Sequence, residues 1–343
     1  MKTSRFRYDP VTQGAYPPVM FHAQGENDMT ARLLSTAALG LALALPAGAF
    51  QLDPRFTDAD GDLIADIPTD PSAWVDPAVL VFAYTPVEDP AVYEDVWVEF
   101  LDHMSEVTGK PVQFFPVQSN AAQLEAMRAG RLHIAAINTG SNPIAVACAG
   151  FRPFTMMAGE DGSFGYEMEI ITYPGSGIET LADLDGRQLA FTSETSNSGF
   201  KAPQALLEAE FGLVVDENYT PAFSGAHDNS ILGVANKDYD AAAIANSVLT
   251  RMEARGVVSR DDLVTIYKSD TFPTSGYGTV YNLHPELQEK IHEAFFSFEW
   301  EGTGLQREFG AQGETQFIPI TFKDNWSVIR QIDAAMGVTY TCN

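Results

Sequence analysis

The chain has 343 residues with 46 acidic against 20 basic side chains, a formal net charge of −26. That balance argues against nucleic acid and anionic membranes as partners, because both attract basic surfaces. The length suffices for two domains or one large one, with ample sequence for a core.

From the N-terminus, Leu33 to Leu45 is a short apolar run preceded by Arg32, and Ala47-Gly48-Ala49 offers an Ala-x-Ala cleavage site before Phe50. This pattern reads as a secretory signal peptide, too short for a comfortable membrane span. Met29 would be its natural start, with residues 1–28 upstream of it; an N-terminal extension with an uncleaved anchor is the alternative. No Cys follows the cleavage site, so a lipid anchor is not expected. Export brings an oxidising compartment, which makes Cys148 and Cys342 candidates for one disulfide tying the C-terminal tail to the first lobe. Two buried free thiols are the alternative.

Next comes an acidic stretch in which Asp58, Asp60, Asp62 and Asp66 alternate with other residues around Gly61. Carboxylates at every second position with a glycine turn are candidate calcium ligands, and the loop resembles a single thrombospondin type 3 calcium loop. A solvated acidic linker over 50–77, kept extended by Pro68, Pro71 and Pro77, is the competing and favoured reading.

The globular pattern begins at Ala78–Tyr84, a continuous apolar run suited to a strand buried on both faces. Val92, Val96, Phe100, Leu101 and Met104 follow at helical spacing and stop at Gly109. Val112–Val117 reads as a second strand, Ser119 or Asn120 as the cap of a helix ending at Gly130, and Leu132–Ile137 as a third strand. This βαβαβ order implies a parallel sheet with helices on both faces and ligand loops at the strand C-termini. The loop Asn138–Ser141 lies at such an end and places Thr139 and Ser141 there as hydroxyl donors.

Glu167–Tyr173 reads as a strand leaving this unit, and Ile178–Leu184 as a short helix. The stretch from Ala190 to Pro203 then runs strand, polar loop and helix, with Ser196, Asn197 and Ser198 at the helix start and Gly212 as its stop. Hydroxyls, an amide and the unpaired N–H groups of a first turn attract anions, although Ser and Asn are also ordinary N-caps. His227 opens another helix, Asp240–Ile244 is a buried strand, and Ser247–Arg255 a helix. Leu263–Lys268 leads back toward Ser275 and Tyr277, and helices over 286–298 and 325–336 close the chain. The expected fold class is α/β with two lobes: 78–166 with 276–343 as lobe 1, and 167–275 inserted as lobe 2.

The segments Gly177–Gly186, Ser196-Asn197-Ser198-Gly199-Phe200 with Pro203, and Gly225, His227, Val234-Ala235-Asn236 with Asp240-Ala241-Ala242 together resemble the phosphonate-binding periplasmic protein family. The resemblance covers about 78–298. It implies a two-lobed periplasmic-binding-protein fold, type II-like, with the ligand in the cleft and an ABC permease and ATPase as partners. It further implies that Ser196, Asn197 and Ser198 form the oxyanion loop and that His227 donates to an anionic oxygen. Tyr84, Thr85 and Tyr93 fall where relatives set an aromatic against the ligand. Relatives that take aminoalkyl phosphonates hold the ammonium with acidic residues; the matching positions here are Ser247 and Ser275. Neither serine neutralises a buried cation, which points to phosphite first, then methylphosphonate or phosphate. No Arg or Lys is expected at the cleft.

The functional expectation is a monomeric periplasmic binding protein without cofactor, apart from the candidate calcium. The alternative is a sensor reporting an oxyanion such as an arsenic species to a membrane histidine kinase; an arsenite site would require a free Cys148. A hydrolase is not expected, because no nucleophile elbow, paired metal cluster or Gly-rich phosphate loop is present.

Overall fold

A computed structural model describes residues 50–342 of the chain; the expected signal peptide lies outside these described residues. In chain order, lobe 1 begins with β1 (Leu80–Ala83), α1 (Val98–Thr108), β2 (Val112–Phe114), α2 (Asn120–Arg128), β3 (Ile134–Ile137), α3 (Asn142–Ala149) and β4 (Phe151–Ala158). The chain crosses into β5 (Tyr166–Thr172), β6 (Gln188–Phe191), α4 (Ala202–Phe211), β7 (Thr220–Phe223), α5 (His227–Ala235), β8 (Ala241–Ala245), α6 (Asn246–Ala254) and β9 (Val264–Phe272). It returns through β10 (Gly276–Val280), α7 (Pro285–Ser297), α8 (Gly304–Phe309), β11 (Gln316–Pro319), α9 (Phe322–Asn325) and α10 (Ser327–Ala335).

Two sheets result, ordered β11-β4-β10-β3-β1-β2 and β7-β6-β8-β5-β9. β1 pairs in parallel with β2 and β3, and β6 with β7 and β8. Both sheets are nevertheless mixed. β10 lies antiparallel between β3 and β4, and β5 lies antiparallel between β8 and β9. The parallel sheet expected from the βαβαβ order is therefore confined to β1, β2 and β3. The reason lies in β10, where a Cβ on Gly278 would stand 2.1 Å from Arg152 O. Only glycine fits at position 278, and two glycines in the first three residues weaken the strand signal that Tyr277, Thr279 and Val280 would give.

Local signals place most helices. Ser119 Oγ accepts from Ala122 N–H and caps α2. Gly109 and Gly212 close α1 and α4 in the left-handed conformation. The helix expected from Val92 instead splits into a short turn over Pro90–Tyr93 and α1 from Val98, and the second strand ends at Phe114. β8, Ala-Ala-Ala-Ile-Ala, is buried throughout, and its small side chains let α5 and α6 approach the sheet.

Residues 50–77, expected as a linker, are docked on lobe 1. Phe50 packs on Phe322 at 5.2 Å between ring centroids, and Phe56 on Tyr281 at 4.9 Å. Val75 bridges to Leu283, and Ala65 is fully buried. The apolar residues that make these contacts are scattered among carboxylates, so composition alone hides them. The C-terminal part is likewise shared between lobes: α10 reaches lobe 2 through a buried Lys201–Asp333 ion pair of 2.7 Å. Among the described residues no helix is long and apolar enough to cross a membrane.

A disulfide joins Cys148 on α3 to Cys342, across 194 positions of sequence. Closing so long a loop restricts the unfolded chain, by about 5 kcal/mol in the chain-entropy treatment and typically about 2–5 in measurements. Replacing both cysteines with serine should lower unfolding stability by at least about 2 kcal/mol in urea titrations. An unchanged midpoint would show that the tail bridge constrains nothing.

Candidate functional site

The C-terminal ends of β1 and β3 face those of β6 and β8 across a cavity of about 70 Å³, lined by loops from both lobes. At roughly 10–15 Å³ for one water, this space has room for a small ligand of a few heavy atoms.

On the lobe 2 side, Asn197–Lys201 forms a π turn that leads directly into α4. Ser196 Oγ caps it by accepting from Gly199 N–H at 3.0 Å. The N–H groups of Asn197 and Ser198 open the turn at the positive end of the helix dipole. Asn197 Nδ2 donates to Tyr166 Oη at 3.2 Å, while its Oδ1 is buried without a partner. Thr192 Oγ1 and Thr274 Oγ1, also on cavity-lining residues, are unpartnered as well. Buried polar atoms are nearly always paired, so these three are exceptions, and of them only the two hydroxyls can donate. Gly199 is dictated by packing: a Cβ there would stand 2.1 Å from Thr192 Oγ1.

His227 is the first residue of α5. Its Nδ1 accepts from Ala245 N–H at 3.1 Å, which leaves the neutral ring with its proton on Nε2. Burial, with Arg251 adding to it, pushes this imidazole down to about 4. The ring is therefore a neutral donor at physiological pH.

Of the residues singled out from sequence, Tyr84, Thr139, Ser196, Asn197, Ser198, His227, Ser275 and Tyr277 line the cavity, as does Ser247. Three do not. Tyr93 is buried behind the wall and donates to Glu88 Oε1 at 2.7 Å. Thr85 and Ser141 are buried beside the cavity rather than in its lining. An aromatic after a strand or a hydroxyl in a loop carries no signal of which way it points.

The expectation that no Arg or Lys stands at the cleft is overturned by Arg251, which lines it. Its donors go to Glu88 Oε1 at 3.0 Å and Gln312 Oε1 at 3.1 Å. Arg255 contacts the carboxylates of Glu88 and Glu308. Burial raises the Glu88 carboxyl, but Arg251 and Arg255 outweigh it and hold that group below its usual range. Burial prevails at Glu308, which is raised. Glu88 and Glu308 belong to lobe 1, and Arg251 on α6 and Arg255 just after it to lobe 2, so the quartet clasps the lobes. Glu314, also in the cavity wall, escaped sequence reading because it sits in a Gln-Gly-Glu-Thr loop without periodicity.

Further bonds cross the cleft. His227 N–H donates to Val87 O at 3.0 Å, Asn120 Nδ2 to Thr195 Oγ1 at 3.1 Å, and Lys201 Nζ to Gly140 O at 2.9 Å. A Cβ on Gly140 would stand 2.3 Å from Thr195 O and 2.5 Å from Asn197 N, so the lobes meet backbone to backbone here.

Away from the cleft, Asp58, Asp60 and Asp62 bring carboxylate oxygens within 4.8 Å of one another. Asp66 is apart, its Oδ2 accepting from Ala59 N–H at 2.9 Å. Asp58 Oδ1 already accepts from Gly61 and Asp62 N–H, and Lys323 Nζ holds Gly61 O at 2.9 Å. The disulfide at Cys148 removes the thiol that an arsenite site would require.

The profile of a family described as the periplasmic substrate-binding protein of phosphonate ABC transporters matches residues 82–326. The chain is similar to the phosphate-import protein PhnD of Mycolicibacterium smegmatis, 26% identical over 326 residues and covering 90% of this chain and 95% of that one. It is also 26% identical over 235 residues to the phosphonates-binding periplasmic protein of Escherichia coli, covering 65% and 69%. In structure it resembles a binding-protein component of an ABC phosphonate transporter from Pseudomonas aeruginosa, with TM-score 0.68, 24% identity and coverage of 75% and 86%. PhnD1 of Prochlorococcus marinus, solved with methylphosphonate, gives TM-score 0.68 at 15% identity, covering 77% and 100%.

Two predictions rest on this geometry. Gly140→Ala should keep the fold but hold the lobes apart, weakening ligand binding at least about tenfold, about 1.4 kcal/mol. Calorimetry paired with small-angle scattering would detect both effects. The second concerns His227, whose folded pKa of about 4 lies below its ordinary 6.5. Above pH 6.5 both states are neutral. As pH falls from 6.5 toward 4, the unfolded chain binds the proton and the folded one does not, so about 3 kcal/mol of stability is lost. His227→Asn should reduce the slope in unfolding titrations by about that amount, the remainder belonging to His292 and His133, which burial also pushes down; an identical slope in the variant would assign none of it to His227.

Proposed function

The chain belongs to the family of periplasmic substrate-binding proteins of phosphonate ABC transporters, and from that premise we propose that it captures a small phosphorus oxyanion without an amine, phosphite first, then methylphosphonate or phosphate. As a family member it is a periplasmic binding component, not an enzyme, and it serves the permease and ATPase of an importer. The names of its relatives span phosphate import and phosphonate binding. They support the class and leave the choice within it to the cavity.

The observation that carries the choice is that serines, not carboxylates, stand at 247 and 275 in the cavity lining. An aminoalkyl chain needs an ionised carboxylate to meet its ammonium, and an unpaired buried ammonium costs several kcal/mol. The one carboxyl among the described lining residues, Glu314, is raised by burial and already accepts from Gln312 Nε2. A compact oxyanion needs only donors. His227 Nε2–H, the Ser198 hydroxyl and the first N–H groups of the π turn supply them from lobe 2, and lobe 1 closes over the other side. Neutral donors suffice because they are fixed before the anion arrives.

Calorimetric titration of the protein with phosphite, methylphosphonate, phosphate and 2-aminoethylphosphonate tests this. Phosphite should bind most tightly, and the aminoalkyl compound at least about 100-fold more weakly, about 2.7 kcal/mol. Preference for 2-aminoethylphosphonate would refute the reading of Ser247 and Ser275.

A further inference from the structure

Among the described residues lining the cavity, Glu314 is the only carboxylic acid. It follows the short turn Gly310–Gln312, precedes β11, and is 7% exposed. Gln312 Nε2 donates to its Oε2 at 2.7 Å, and no other protein donor reaches the carboxyl. Its charged and titratable neighbours come from three other elements. Tyr84, just after β1, and Tyr277 on β10 are phenols that burial pushes far up, so both remain neutral. Arg251 on α6 is the remaining charged group, and Glu88, Tyr93 and Gln312 hold its donors. His227, on the same cavity, is neutral above about pH 4.

For a guest without an amine, a carboxylate in the wall of an anion-binding cavity is a contradiction unless a proton lies between the two. Two ionised acceptors in a low-dielectric space repel strongly, and neither offers the other a donor. We propose that Glu314 is a specificity-determining residue that shares one proton with the bound oxyanion, so that the cleft takes the ion together with that proton. This rests on the phosphorus-oxyanion reading given above. A monoanion arriving with its P–O–H donates to an ionised Glu314; a dianion accepts from a protonated Glu314. Either route reaches a complex with the same proton count. Burial, countered partly by Arg251 and Gln312, raises the carboxyl to about 7. Phosphate monoesters ionise a second time near 6, so the two sites compete for the proton on similar terms.

Above pH 8 the free carboxyl and the free oxyanion are both largely ionised. Binding must then draw about one proton from solvent, and affinity should fall about tenfold per pH unit. The test is calorimetric titration of the intact protein with phosphite and with methylphosphonate at pH 8.5, in two buffers of different ionisation enthalpy. Wild type should take up about one proton per ligand. In Glu314→Gln, whose amide donates without titrating, uptake should drop to near zero and the pH slope should flatten, with thermal unfolding confirming that the variant folds. Binding by wild type without proton uptake would overturn the proposal and leave the functional reading intact, as would undiminished uptake in the variant. Failure of wild type to bind either anion from pH 6 to 8.5 would instead overturn the functional reading and this inference together.

Discussion

Glu88 and Arg251 meet across the cleft with 3.0 Å between them, and both are buried. A lone buried charge costs several kcal/mol, so neither is tolerated without the other. Their pairing is possible only when α6 of lobe 2 stands against the loop after β1, with Arg255 and Glu308 completing a neutral set. Opening the cleft returns all four groups to water, where hydration offsets much of the lost pairing. The quartet therefore fixes the register in which the lobes meet while adding little to their net attraction. A binding protein needs such a balance, because a ligand shifts an equilibrium only by its differential affinity for the two states.

The formal charge of −26 is at odds with capture of an anion. The conflict dissolves with distance. Solvent-exposed charges are largely screened beyond about 8–10 Å at physiological ionic strength, whereas buried donors act at contact. Within the cavity wall the formal charges are Arg251, matched by Glu88, and the titratable Glu314. A guest anion thus meets local dipoles rather than the acidic exterior: an imidazole N–H, hydroxyls and a helix start.

Much of this was legible in the sequence where a local rule decides the outcome. The Ser196–Gly199 loop, the glycine stops of α1 and α4 and the buried runs of β1 and β8 all follow from capping chemistry and apolar patterning within a few residues. What stayed hidden depends on partners distant in sequence. β10 reads poorly as a strand because Gly278 answers to the backbone of β4 and Gly276 to the side chains of Trp326 and Asn142. Arg251 looks like a solvent-facing helix residue until Glu88, 163 positions away, is brought beside it. Phe50 and Phe56 sit in an acidic stretch whose composition suggests solvation, yet they pack on Phe322 and Tyr281 near the far end of the chain. Tyr93 was assigned to the ligand and instead orients Glu88, because a loop aromatic's direction is set by tertiary contacts.

The two titratable walls of the cavity suggest how a nearly uncharged site can discriminate among tetrahedral anions. His227 from lobe 2 is neutral and presents only a donor; Glu314 from lobe 1 presents an acceptor or a donor according to one proton. An oxyanion that retains an ionisable oxygen near neutral pH can match both walls. An anion of a strong acid has no proton to offer, so it fits only where Glu314 itself carries the proton, and against the ionised carboxylate it leaves two acceptors facing each other. The penalty for such an unmatched buried pair exceeds the gain from any single neutral hydrogen bond. Selection by proton complement is therefore available to this cleft without a free cationic side chain, and it distinguishes ions that size and shape alone would not separate.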